Sequence, residues 1–175
     1  MASGGIVRRI DELGRIVIPK ELRKTMRLKV GDEMEILSTS EGLTLKKFNA
    51  YDGFKNLASS VAKSLAGYVE ADVIIVDSSQ VVIAEGANKK KYLGAMIDGE
   101  LLKAVEHRRQ SILHGDDLKN VFENVKCDCC YLVFEPIVSN GDSYGGMAIL
   151  LCSLPSDVAR AYLKFCTDLI SAMLQ

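Results

Sequence analysis

Positively charged side chains crowd the start of this chain. Residues 1–30 hold eight Lys/Arg against three Asp/Glu. Arg8, Arg9, Arg15, Lys20, Arg23 and Lys24 have the types and spacing that bear on chemistry, with Arg27 as a further secondary candidate. Arginine offers a planar fork that fits phosphates and guanine edges, whereas lysine supplies a point charge. The cluster is therefore a candidate nucleic-acid surface, set against the commoner fate of a charge run as a solvated face. A second group is Cys127-Asp128-Cys129-Cys130. Zinc sites usually show two spaced ligand pairs, and His107 and His114 stand at no supporting distance, so no metal site is expected. In extended backbone Cys127 and Cys129 share one face and Cys130 takes the other. The expectation is buried small hydrophobes, with thiol redox sensing as the residual alternative.

The remaining signals are structural. His107, in His107-Arg108-Arg109, is expected at a helix C-terminus, where positive charge meets the dipole. Lys89-Lys90-Lys91 reads as a solvated loop or as the mouth of a sensor pocket. Gly141 and Gly145-Gly146 follow turn logic, with no strand–glycines–helix context around them. No nucleophile, base and acid are arranged together, so no catalytic residues, no cofactor and no enzymatic activity are expected.

Several elements must position the cations. Ile6–Ile10 and Arg15–Ile18 are β-branched runs separated by the turn signal Asp11-Glu12-Leu13-Gly14. Pro19 stops the second strand and suits the first turn of a short helix over 20–26. Turns at Gly31-Asp32 and Glu41-Gly42 lead into strands at 34–37 and 43–47. This β-β-α-β-β unit of about fifty residues is too small to bury a comfortable core alone, and it has no cysteine to staple it. Oligomerisation is the expected remedy.

Composition changes beyond Ala50. Residues 1–50 carry ten Lys/Arg against seven Asp/Glu, and residues 51–175 carry twelve against sixteen. The near-zero net charge of −1 thus sums a basic arm and an acidic body. The body opens with an amphipathic helix over 52–66, with Phe54, Leu57, Ala58, Val61, Ala62 and Leu65 as its stripe and Gly67 as its stop. Strands at 72–77 and 81–84 form a hairpin, and a helix over 98–109 turns Leu101, Leu102 and Val105 inward. Strands at 131–138 and 147–152 flank the hairpin turn Asn140-Gly141-Asp142. The last helix, 157–174, follows a cap at Ser153 or Ser156. It carries two stripes, Val158/Tyr162/Phe165/Leu169/Met173 and Ala159/Leu163/Cys166/Ile170. A face that wide predicts packing on the helix at 52–66 and on a second subunit as well as on the sheet. No run is long enough to cross a bilayer and no signal-peptide core opens the chain. The five cysteines are read as reduced thiols of a cytoplasmic protein.

Residues 5–24, Gly5-Ile6-Val7-Arg8-Arg9-Ile10-Asp11-Glu12-Leu13-Gly14-Arg15-Ile16-Val17-Ile18-Pro19-Lys20-Glu21-Leu22-Arg23-Lys24, strongly resemble the swapped-hairpin DNA-binding module of the AbrB family of bacterial transition-state regulators. The likeness extends over 4–48. The body resembles a GAF sensor domain in element order and flanking helices, and the combination resembles regulators of sporulation. The resemblance implies an α+β protein. Residues 1–50 would be an AbrB-like DNA-binding domain in which two chains interlace into one dimeric β-barrel. Residues 51–175 would be a GAF-like sensor or oligomerisation domain completing a homotetramer. It implies double-stranded DNA as partner, at the nucleoid, with contacts carried over onto Arg8, Arg15, Arg23 and Lys24. Lys24 stands where the family commonly has arginine. Arg9 and Lys20 are added from the charge pattern. A GAF ligand is left unassigned, as are activation versus repression. The competing classes are an antitoxin-like interaction module and, more remotely, a thiol-dependent sulfoxide reductase.

Overall fold

The computed structural model describes residues 5–26, 28, 30–48, 51, 53 and 55–174. The chain divides into two units, Met1–Phe48 and Asn49–Gln175.

In the first unit a short helix α1 (Lys20–Thr25) is followed by an antiparallel pair, β1 (Met34–Thr39) and β2 (Gly42–Lys47). The runs 6–10 and 15–18, expected as strands, are extended but form no ladder with each other among the described residues. One cross-turn bond, from Asp11 N–H to Arg15 C=O at 3.1 Å, joins them. The reason is burial. Only Pro19 is buried among the described residues of this unit. Val7 is 87% and Val17 74% exposed. A pair of β-branched arms with nothing to cover either face gains little from zipping together.

The second unit is built on a five-stranded antiparallel sheet in the order β4-β3-β7-β6-β5. Its strands are β3 (Asp72–Val76), β4 (Val81–Glu85), β5 (Ser111–His114), β6 (Tyr131–Ser139) and β7 (Asp142–Leu151). Both faces are covered, which is why the central strands read as unbroken apolar runs. Val73, Ile75, Val133, Met147 and Ile149 face α2 (Lys55–Val69) and α5 (Asp157–Met173). Ile74, Val76, Leu132, Phe134 and Ala148 face α3 (Lys89–Tyr92), α4 (Gly99–Glu106) and the loop through Val121 and Phe122. Asn140 (φ 51°) and Gly141 (φ 86°) make the β6–β7 hairpin turn, which needs two left-handed residues. Tyr51 is buried at the start of this unit and donates its hydroxyl to Tyr144 C=O at 2.8 Å.

The helices differ from expectation at their ends. Asp52 and Phe54 lie outside the described residues. Gly67 does not stop α2, which runs to Val69, and Glu70 takes the left-handed conformation (φ 49°) instead. The extra turn lets Val69 pack against the core. The helix α4 ends at Glu106, with His107 as its C-cap and Arg108 left-handed (φ 53°). Lys89–Tyr92 is a helical turn, not a loop, because Tyr92 has to reach the core, where its ring lies tilted against Phe122 with centroids 5.5 Å apart. The edge strand β5 was not expected, four residues being too few for a readable alternation. Ser156 caps α5, accepting from Ala159 N–H at 3.1 Å.

Candidate nucleic-acid interface

The turn between the two arms is organised by one carboxylate. Asp11 Oδ1 accepts from the backbone N–H of Leu13 (3.0 Å) and of Arg15 (2.8 Å). Its Oδ2 accepts from Arg15 Nε at 2.7 Å. The Arg15 N–H first, and then its guanidinium, hold the Asp11 carboxyl below its usual range. Gly14 at φ 76° closes the turn and donates to Asp11 C=O at 3.0 Å. Arg15 is thus fixed at Nε while most of its side chain stays exposed. Asp11 was missed by sequence reasoning. Its signal was available, an aspartate opening a tight turn whose N–H groups it can accept.

All six candidate cations are exposed and all lie in the first unit. Arg8 and Arg9 are neighbours on the first arm, and Arg8 Nη1 rests on Val7 C=O at 3.0 Å. Arg15 follows the turn. The helix α1 is seeded by Pro19, whose carbonyl accepts from Arg23 N–H at 2.9 Å, and is closed by Met26 N–H on Leu22 C=O at 2.8 Å. Lys20, Arg23 and Lys24 are spaced i, i+3, i+4 and share one face of that helix. Among the described residues the side chains of Arg9, Lys20, Arg23 and Lys24 have no ion-pair partner. Arg27 lies outside the described residues. Such an array, three arginines at a hairpin and three cations on a helical turn, can neutralise phosphates and reach base edges.

The other candidates fall in the second unit. The cysteines were expected to be mostly buried, and none is. Cys127, Cys129 and Cys166 are half-buried, and Cys130 and Cys152 are exposed. The segment before β6 runs extended along the edge of the core, so its residues alternate inward and outward. Lys91 pairs with Asp128, and Lys89 with Glu85 at 3.5 Å, which also accepts from Ser59 Oγ at 2.6 Å. Lys89 and Lys90 border a cavity of about 280 Å³ between α2 and β4. Among the described residues no three His, Cys, Asp or Glu side chains converge as a metal site, and no helix is long and apolar enough to cross a membrane.

Comparison with known proteins gives two separate family matches. Residues 53–165 match the family described as stage V sporulation protein T C-terminal, transcription factor. Residues 7–48 match the family described as antidote-toxin recognition MazE, bacterial antitoxin. Stage V sporulation protein T of Bacillus subtilis is 36% identical over 151 residues, covering 85% of this chain and 84% of that one. The transition state regulatory protein AbrB of the same organism is 52% identical over 48 residues, 27% of this chain and 50% of that one. The GAF domain of the Acinetobacter phosphoenolpyruvate-protein phosphotransferase is 10% identical with a TM-score of 0.55, covering 74% of this chain and 84% of that one. At that identity it speaks to the fold alone, and the second unit has the GAF fold. With a family match over most of its length and a relative above 30% identity across both units, the chain belongs to the stage V sporulation protein T family.

Proposed function

We propose that this chain is a DNA-binding transcription regulator of sporulation, with residues 1–50 as the DNA-binding arm and residues 51–175 as a GAF-like body that senses a signal or fixes subunit geometry. The observation that carries the reading is the exposure of Arg8, Arg9, Arg15, Lys20, Arg23 and Lys24 on an arm with almost no core of its own. Arg8, Arg15, Arg23 and Lys24 make the principal contacts with double-stranded DNA, and Arg9 and Lys20 add charge. The chain works in the cytoplasm, at the nucleoid, as a regulator and not as an enzyme.

Assembly follows from the same exposures. Ile6, Val7, Ile10, Ile16 and Val17 are uncovered within one chain, so two chains interleave their hairpins and each arm finds its ladder and its core in the other. In the body, the inner stripe of α5 is buried at Ala159, Leu163 and Ile170. The outer stripe, Val158, Tyr162, Phe165 and Leu169, is exposed, and Tyr162 lies against Tyr68 of α2 with ring centroids 5.6 Å apart. That apolar band is a second subunit contact, and the two contacts together give a tetramer that brings paired arms to DNA at once.

The antitoxin reading has in its favour the match over 7–48, but the body is a folded domain where a toxin-binding tail would be extended. Genome-wide footprinting at native salt, with the wild-type chain and an Arg8→Ala/Arg15→Ala variant, tests the proposal. Discrete protected sites that vanish in the variant are expected. Protection that is absent, or unchanged by the substitutions, would overturn it.

A further inference from the structure

On the side of the sheet that carries α3 and α4, the segment leading into β6 holds two sulfurs in contact. Cys127 Sγ and Cys129 Sγ are 3.1 Å apart. The span is tethered at both ends, by Glu123 N–H on Met96 C=O at 3.1 Å and by Cys130 N–H on Leu151 C=O at 2.8 Å. Between the two cysteines Asp128 turns outward to its ion pair with Lys91 of α3. Alternation along extended backbone does the rest, since residues 127 and 129 both face the core while 128 and 130 face outward. A cavity of about 430 Å³ opens onto the pair, bordered by Leu118, Lys119, Lys126 and Cys130. Two thiols in contact, ringed by lysines and reachable by a small molecule, are arranged for more than packing.

We propose that Cys127 and Cys129 form a reversible dithiol–disulfide site, oxidised by a hydroperoxide and reset by a dithiol reductant. In the first step the Cys127 thiolate attacks the peroxide. An S–O bond forms, the O–O bond breaks, and the distal oxygen leaves with a proton as water or alcohol. In the second step the Cys129 sulfur attacks Cys127. An S–S bond forms, the S–O bond breaks, and the hydroxyl leaves as water with the proton from Cys129. Two thiols and one hydroperoxide thus give one disulfide, one water and one alcohol, the alcohol being a second water when the oxidant is hydrogen peroxide. The order of attack follows from the local electrostatics. Either sulfur can donate in this contact while both are protonated. Once Cys127 is the thiolate, the Cys129 S–H and backbone N–H, and then the Lys91 charge, hold the Cys127 thiol down at about 7 despite its partial burial. The same hydrogen bond pushes Cys129 up, so Cys129 keeps its proton until it attacks. A bridge across one intervening residue is strained and therefore readily reduced. This chemistry is independent of DNA binding.

The test treats the full-length protein with hydrogen peroxide, blocks the remaining thiols in denaturant and weighs the proteolytic peptides. The expected result is loss of two of the five thiols and of two hydrogens from the peptide holding 127–130, both restored by dithiothreitol. A Cys130→Ser chain behaves the same, and a Cys129→Ser chain stops at a sulfenic acid on Cys127 that dimedone captures. Without peroxide, alkylation of Cys127 rises through an inflection near pH 7, where its thiolate forms. A disulfide that includes Cys130, a bridge between two chains, or thiols inert to peroxide would each overturn the proposal. Because the wild-type peptide map needs no substitution, a variant that fails to fold leaves the test intact.

Discussion

The two units of this chain solve the burial problem in opposite ways. The body closes its sheet on both faces, with Ile75 and Met147 under two helices and Ile74 and Phe134 under a third layer of helix and loop. The arm has much the same β-branched vocabulary, yet among its described residues it buries only Pro19. Apolar side chains in sequence are therefore not a core. They become one when something covers them, and in the assembly proposed above that cover comes from another chain. The same openness leaves Arg8, Arg9, Lys20, Arg23 and Lys24 exposed where a polyanion could meet them, so weak self-sufficiency and a surface suited to nucleic acid share one physical cause.

Glycine substitutions break the comparison most sharply. Gly145 in β7 has φ 95°, and a Cβ there would run into the Val76 carbonyl, while Gly14 in the arm has φ 76° and open space around it. Gly145→Ala should cost on the order of 4 kcal/mol, combining backbone strain with a clash in the core. Gly14→Ala should cost about 1–2 kcal/mol, from backbone strain alone. Urea unfolding of each variant measures the difference, and equal losses would mean the arm is as closely packed as the body. The next effect belongs to the cations. At about 1–3 kcal/mol per contact, Arg8→Ala with Arg15→Ala should weaken operator binding about a hundredfold or more, read by gel shift at fixed salt. Unfolding of the body should not change. The smallest effect on stability concerns the outer stripe of α5. Phe165→Asp should lower the mass seen by sedimentation while shifting the unfolding of the dilute chain by only about 0.5 kcal/mol, since Phe165 is 66% exposed. An unchanged mass would move the second subunit contact elsewhere.

Local signals were legible wherever one residue type settles a conformation. Asn140-Gly141 announced its turn, Ser153 or Ser156 the cap of α5, and Pro19 the start of α1, because φ preferences and short hydrogen bonds act within a few residues. The two stripes of α5 were also legible, since 3.6-residue periodicity records which positions need cover. Tertiary facts were not. Gly67 looked like a helix stop, but packing of Val69 carried α2 past it and Glu70 absorbed the left-handed turn. The arms at 6–10 and 15–18 looked like strands, yet a strand is defined by its partner, and no periodicity says whether that partner lies in the same chain. The cations could be picked out by type and register, whereas the grip of Asp11 on Arg15 and the approach of Cys127 to Cys129 required coordinates.

The claim at the centre of this account is that the arm binds DNA through its exposed charges. The salt dependence of operator binding by the full-length protein tests it most directly. If six phosphate contacts are neutralised, log K should fall against log salt with a slope of roughly −5, and two engaged arms should steepen it further. Binding that keeps its affinity as salt is raised would contradict the assignment of Arg8, Arg9, Arg15, Lys20, Arg23 and Lys24, whatever the fold around them.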